Sequence, residues 1–166
     1  MVAPRTMQAI VQVESGGNAL VMWNNTTRSR VLPPNRAAAI AYLQAAMAAG
    51  QKVDVGIAQV DTENFAAFGL TPENAFDPCT NLRVGGEILR ASWRQALHHG
   101  LSGQVALYHS FEAYNSGRLW GDSGYATQIL RAAGIPVSLQ GGFERIAHWT
   151  PPFFAQAWAP KGNWNP

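Results

Sequence analysis

Apolar and polar positions repeat with a helical period over most of the first 134 residues. Pro4 and Arg5 open a helix, and at about 100° per residue Met7, Ile10, Val11 and Glu14 share one of its faces. A carboxylate therefore lies among apolar side chains. Ser15-Gly16-Gly17-Asn18 breaks this helix, and residues 19–34 read as loop or short extended structure, with Asn24, Asn25, Thr26 and Thr27 ahead of Pro33-Pro34. A second helix is predicted over 35–50, rich in Ala, with Ile40, Leu43 and Met47 at helical spacing and Gly50 as its left-handed terminus.

Residues 51–60 read as a connection containing a short extended piece, Val53 to Val60. Within it Gly56 permits close approach of another element or a ligand, and Gln59 offers one acceptor and two donors suited to sugar amides and hydroxyls. Asp61 or Thr62 can cap a helix from Glu63 to Phe68 that stops at Gly69. Thr71-Pro72 opens a turn. Asp77-Pro78 then starts a longer helix to about His99, with Leu82, Leu89, Trp93 and Leu97 along one side and a costly Gly85-Gly86 pair inside. Ser102 is placed to cap a helix through Val105, Ala106, Tyr108 and Phe111 that ends near Asn115 or Gly117, and a last helix is expected from about Tyr125 to Ala133. Beyond Gly134 the periodicity fades, and Pro- and Trp-containing residues 135–166 read as an irregular extension or linker after a domain of 1–134.

Composition narrows the class without naming a function. The 166 residues suit one domain plus a tail, 47% of them are apolar, and no uninterrupted apolar run is long enough for a transmembrane helix. No basic region followed by an apolar block marks a signal peptide. Twelve Lys and Arg give a net charge of +2 but form no cluster, so nothing in the pattern points to nucleic acid. Cys79 is the single cysteine, which leaves no disulfide within the chain and no Cys-based zinc site; a partner cysteine outside the chain stays open. Among His98, His99, His109 and His148, the one pairing with a carboxylate at helical spacing is His109 with Glu112, so no metal is expected.

Glu14 is the strongest candidate for chemistry. Held against low-dielectric surroundings, a carboxyl group has its charged form disfavoured and can serve as a general acid near neutral pH. Equally, it could cap the last turn or pair with an arginine. Ordinary glycosidases need two carboxyl groups, and the obvious second candidate, Asp61, is better explained as a helix cap. Glu112 reads as support for its helix end or a partner for Arg118.

Glu14-Ser15-Gly16-Gly17-Asn18, Gly56-Ile57-Ala58-Gln59-Val60 and Ala113-Tyr114-Asn115-Ser116-Gly117, in this order, resemble the core motifs of the lytic transglycosylases that cut bacterial peptidoglycan. Asp77-Pro78-Cys79-Thr80-Asn81-Leu82, running into Gly85-Gly86 and Leu89, resembles the family's structural helix. The resemblance covers about residues 4–134 and is nearest to the transglycosylase subunit of type IV secretion and conjugation systems. It departs at Ala58, where many relatives carry Met, and at Asp61, where secretion-associated relatives often carry Asn.

That resemblance implies an all-α, lysozyme-like domain in which the three stretches converge on a sugar cleft. It implies a catalytic Glu14 that protonates the glycosidic oxygen between N-acetylmuramic acid and N-acetylglucosamine and then takes the proton of the C6 hydroxyl, leaving 1,6-anhydro ends. Gln59 and Tyr114 would bind substrate, with Ser15 and Asn115 in support. The implied setting is periplasmic, with no cofactor, with peptidoglycan strands and secretion or conjugation components as partners, and without integral membrane character. Two alternatives stay open: a glycan-binding assembly factor with little activity, and a hydrolytic muramidase.

Overall fold

A computed structural model describes residues 2–135; the expected irregular extension lies outside the described residues except for Ile135. Six α-helices and a small sheet make up the described chain: α1 Pro4–Glu14, β1 Met22–Asn24, β2 Ser29–Val31, α2 Arg36–Ala48, β3 Val53–Val55, β4 Val60–Asp61, α3 Phe65–Phe68, α4 Pro78–His98, α5 Gly103–Ser116 and α6 Ser123–Ala132. The expected all-α class with one short extended segment is thus corrected: that segment holds β3 and the start of β4, and two further strands complete a sheet. The four strands are antiparallel in the order β2-β1-β3-β4. Strands of two or three residues are too short for an alternating pattern to stand out in a sequence, which is why 19–34 read as loop or short extended structure.

The helix boundaries follow local chemistry. Asn35 caps α2, its side chain accepting from the Ala38 amide at 2.9 Å, and Gly50 beyond the helix is left-handed with φ 68°. The buried side of α2 is Ala39, Leu43 and Ala46, while Ile40 and Met47 are half-buried. Asp61 accepts from the Glu63 amide at 2.7 Å and caps a 3-10 turn, Thr62–Asn64, that leads into α3. Asp77 starts α4, accepting from the Thr80 amide at 2.8 Å, and hydrogen bonds from the Thr80 hydroxyl and then its amide hold the carboxyl below the usual range. Along α4 the buried positions include Val84, Leu89 and Ala96, and Leu97, expected inside, is 44% exposed. Ser102 occupies the residue before α5 in an extended conformation but makes no side-chain cap, a correction to its expected role. Asp122 does cap α6, accepting from the Tyr125 amide at 3.0 Å.

The described chain divides into two compact units. One takes residues 10–87 and contains the sheet, α2, α3 and the first turns of α4. Its core is the inner face of the sheet, where Met22, Val53, Val55 and Val60 are at most 1% exposed. Asn24 is buried with them and is fully bonded. Its Nδ2 donates to Tyr42 Oη at 2.9 Å and Gln51 Oε1 at 2.7 Å, while its Oδ1 accepts the Thr26 and Thr27 amides and shapes the β1–β2 turn. The other unit takes residues 1–9 and those from Ile88 onward, with α5 and α6 packed on each other. Residues 106–113 of α5 are buried on every side, as a central helix requires. Ala96, Ala106, Ala113 and Leu119 form one apolar cluster there, against which Trp93 and Leu101 pack.

Candidate active site

Glu14 is the last residue of α1. The fully sheltered stripe of that helix runs through Thr6, Ala9 and Ile10, so Met7, Val11 and Glu14 lie half-buried at its margin. Glu14 is thus neither sealed in the core nor fully exposed. The next residue explains how the helix end is held. Ser15 is 5% exposed, and its Oγ donates to the Ile57 carbonyl at 2.8 Å, lies 3.2 Å from the Val11 carbonyl, and accepts the Gly17 amide at 3.1 Å. These partners occupy the hydroxyl, so Ser15 acts on the site by fastening Glu14's helix to the turn between β3 and β4.

That turn, Gly56-Ile57-Ala58-Gln59, is bound from behind. Asn81 of α4 has a fully buried side chain whose Nδ2 donates to the Val55 and Ala75 carbonyls, both at 2.9 Å, and whose Oδ1 accepts the Ala58 amide at 2.8 Å. Gly56 has φ 81°, and a Cβ placed on it would lie 2.7 Å from Asn81 Nδ2 and 3.0 Å from the Ala75 carbonyl. The close approach expected at Gly56 is real, and what approaches is Asn81. Gln59 is left-handed at φ 47°, a conformation that non-glycine residues adopt at a cost. Its Nε2 donates to the Gly56 carbonyl at 2.7 Å and the Val21 carbonyl at 3.0 Å, which leaves Oε1 to accept from a substrate hydroxyl or amide.

Glu14, Ser15 and Gln59 are therefore joined through one hydrogen-bonded segment of the 10–87 unit. Tyr114 and Asn115 belong to the other unit, at the end of α5. Tyr114 is half-buried and stacks on Tyr125 of α6, with ring centroids 6.5 Å apart and planes 11° from parallel. Asn115 is exposed and donates to Asp122 Oδ2 at 3.3 Å, so the residue that caps α6 also holds the end of α5. Gly117 closes α5 with φ 72°.

Two titratable clusters stand out. Asp54 on β3 accepts from Asn25 Nδ2 at 3.0 Å, and burial, with Asp61 beside it, pushes its carboxyl up to about 6. His109 and Glu112 are both buried, and His109 Nδ1 lies 2.6 Å from Glu112 Oε2 and 2.8 Å from the Leu119 carbonyl. A carbonyl can only accept, so Nδ1 carries the hydrogen. Glu112 thus pairs with His109, not with Arg118, and the pair fastens the loop after α5 to the helix. Among the described residues no group of three His, Cys, Asp or Glu side chains is placed to hold a metal.

A helical domain with a small antiparallel sheet, whose first helix ends on a half-buried glutamate next to a serine bonded to the turn of a left-handed Gln, has the parts of a lysozyme-like domain. The chain belongs to the Transglycosylase SLT domain family, whose defining pattern matches residues 1–121. It is 34% identical over 134 residues to Protein virB1 of Agrobacterium fabrum, a match spanning 80% of this chain and 54% of that protein. It is 40% identical over 122 residues to the type IV secretion system protein virB1 of Brucella abortus, covering 72% of this chain and 51% of the relative. The chain thus spans about half the length of the curated relatives it matches. No solved structure matches it. Among the described residues no helix is long and apolar enough to cross a membrane.

Asn81 and Asn24 are the residues that sequence reasoning missed. Asn81 lies inside the motif that reads as a structural helix, and a buried Asn in the first turn of a helix, bonded to Val55, Ala58 and Ala75 outside it, has no periodic signature.

Proposed function

We propose that this protein is a peptidoglycan lytic transglycosylase that cleaves the β-1,4 bond between N-acetylmuramic acid and N-acetylglucosamine and leaves 1,6-anhydromuramic ends. The observation that carries this reading is the fastening of Glu14 to the Gln59 turn through Ser15 Oγ and the Ile57 carbonyl at 2.8 Å. Glu14 first donates its proton to the glycosidic oxygen as the bond to C1 breaks. The resulting carboxylate then takes the proton of the C6 hydroxyl as that oxygen closes on C1, so the acid is regenerated and no water enters the product. One carboxyl group serves both steps, with the muramoyl N-acetyl group supporting the electron-poor carbon, a substrate-assisted variant of glycoside cleavage.

Gln59 Oε1 receives a hydrogen from the sugar, and Tyr114, held by Tyr125, contributes its ring and hydroxyl to substrate contacts. Asn115 supports it. Asp61 uses Oδ1 to cap the turn after β4 and takes no part in the proton transfers. Residues 1–134 form the catalytic domain and 135–166 an extension, in the periplasm. The relatives' name places them with type IV secretion, and we extend that role to this chain: local opening of the wall for a secretion or conjugation apparatus.

Mass spectrometry of digested peptidoglycan tests the reaction. Fragments lighter by one water than the hydrolytic product are expected. Products carrying that water would make the protein a muramidase, and glycan binding without any fragments would make it an assembly factor.

A further inference from the structure

The sheet has two faces of opposite character. Residues paired across strands project to the same face, and Trp23↔Arg30, Trp23↔Asp54 and Asp54↔Asp61 are such pairs. They form one row crossing all four strands in the order Arg30, Trp23, Asp54, Asp61. The inner face is buried core, whereas on this row Trp23 is 40% exposed, Arg30 is exposed and the two aspartates are half-buried. Among the described residues Arg30 makes no ion pair. Asp54 is steadied by the Asn25 amide at 3.0 Å.

We propose that this row is a saccharide-binding subsite, in which the Trp23 indole stacks on the C–H face of a hexopyranose and Arg30, Asp54 and Asp61 bond its hydroxyl and acetamido groups. The chemistry is that of a pyranose: an apolar ring face surrounded by donors and acceptors, met here by an aromatic plate with polar groups on both sides. Adjacent strands lie about 4.8 Å apart, so the row extends over roughly 14 Å and can engage more than one ring of a glycan strand. The row is continuous with the Gln59 turn. Asp61 follows Gln59 by two residues, and Gln59 Nε2 bonds the carbonyl of Val21, the residue ahead of β1. With Asp54 titrating near 6, the aspartate pair can present a donor and an acceptor together.

This subsite rests on the proposed activity for its ligand, a strand of the same glycan. The test is calorimetric binding of peptide-free glycan strands, and separately of free stem peptide, to the full chain carrying Glu14→Gln, with and without Trp23→Ala or Trp23→Phe. Trp23→Ala should weaken strand binding by about tenfold or more and Trp23→Phe by about threefold or less, with the Phe variant keeping the melting temperature because it retains an aromatic ring at this 40% exposed position. In the chain with Glu14 intact, Trp23→Ala should raise KM and leave kcat unchanged. Equal strand binding by Trp23→Ala, no strand binding by the Glu14→Gln chain, or loss of stem-peptide binding instead would overturn the subsite. If strands bind through Trp23 but the chain with Glu14 intact releases no fragments, the activity fails and the subsite stands; if fragments appear with an unchanged KM, the reverse holds.

Discussion

Gln59 adopts φ 47° because its own amide bridges the Gly56 and Val21 carbonyls, and Asn81 secures the same turn from the opposite side. Replacing Asn81 by Ala removes its hydrogen bonds to two carbonyls and one amide in a buried place. The expected cost is about 3 kcal/mol by denaturant unfolding, together with a loss of activity through a misplaced Gln59. Asp54 provides a test of sign. Its folded-state pKa of about 6 is raised above the unfolded value, so the fold holds the proton more tightly. The contribution of Asp54 to stability is therefore fullest below about pH 4, where the group is protonated in both states, and is lost as pH rises through 6. Asp54→Asn should gain on the order of 2 kcal/mol at pH 7 and almost nothing at pH 3.5, measured by unfolding across that range. A gain that is the same at both pH values would rule out titration of Asp54 as its origin. The partly buried position of Glu14 and the close approach at Gly56 were legible from residue type and spacing, whereas Gln59 was singled out by the motif resemblance. Asn24 and Asn81 were not, because their roles depend on partners far away in sequence.

At the scale of elements, turns decide where the chemistry is held. Gly56 and Gly69 are both left-handed, at φ 81° and 64°, but a Cβ meets nothing within 4 Å at Gly69 and meets Asn81 at 2.7 Å at Gly56. Gly69→Ala should cost about 1 kcal/mol from backbone conformation alone, and Gly56→Ala about 2–4 kcal/mol, since contact is added to conformation. Paired unfolding curves measure the difference, and equal costs would mean that Asn81 does not constrain the turn. The helices were readable because caps and periodicity agree at Asn35, Asp77 and Gly117. The sheet escaped because its strands are shorter than the window in which alternation can be seen. Leu97 was misplaced for a different reason: Ala96 is the small residue that lets α4 pack, and a hydrophobicity pattern ranks the larger side chain first.

For the molecule as a whole, the proposed reaction rests on membership of the Transglycosylase SLT domain family and on the half-buried glutamate at the end of α1. The account requires one carboxyl group to act first as acid and then as base, without a second. The most direct measurement is turnover of purified peptidoglycan by Glu14→Gln beside the unaltered chain, with unfolding temperature followed in parallel. Glutamine keeps the shape and hydrogen-bonding capacity but supplies no proton, so release of anhydro fragments should fall by about a thousandfold or more while the unfolding temperature changes little. Glu14→Gln that releases those fragments at the unaltered rate would contradict the account.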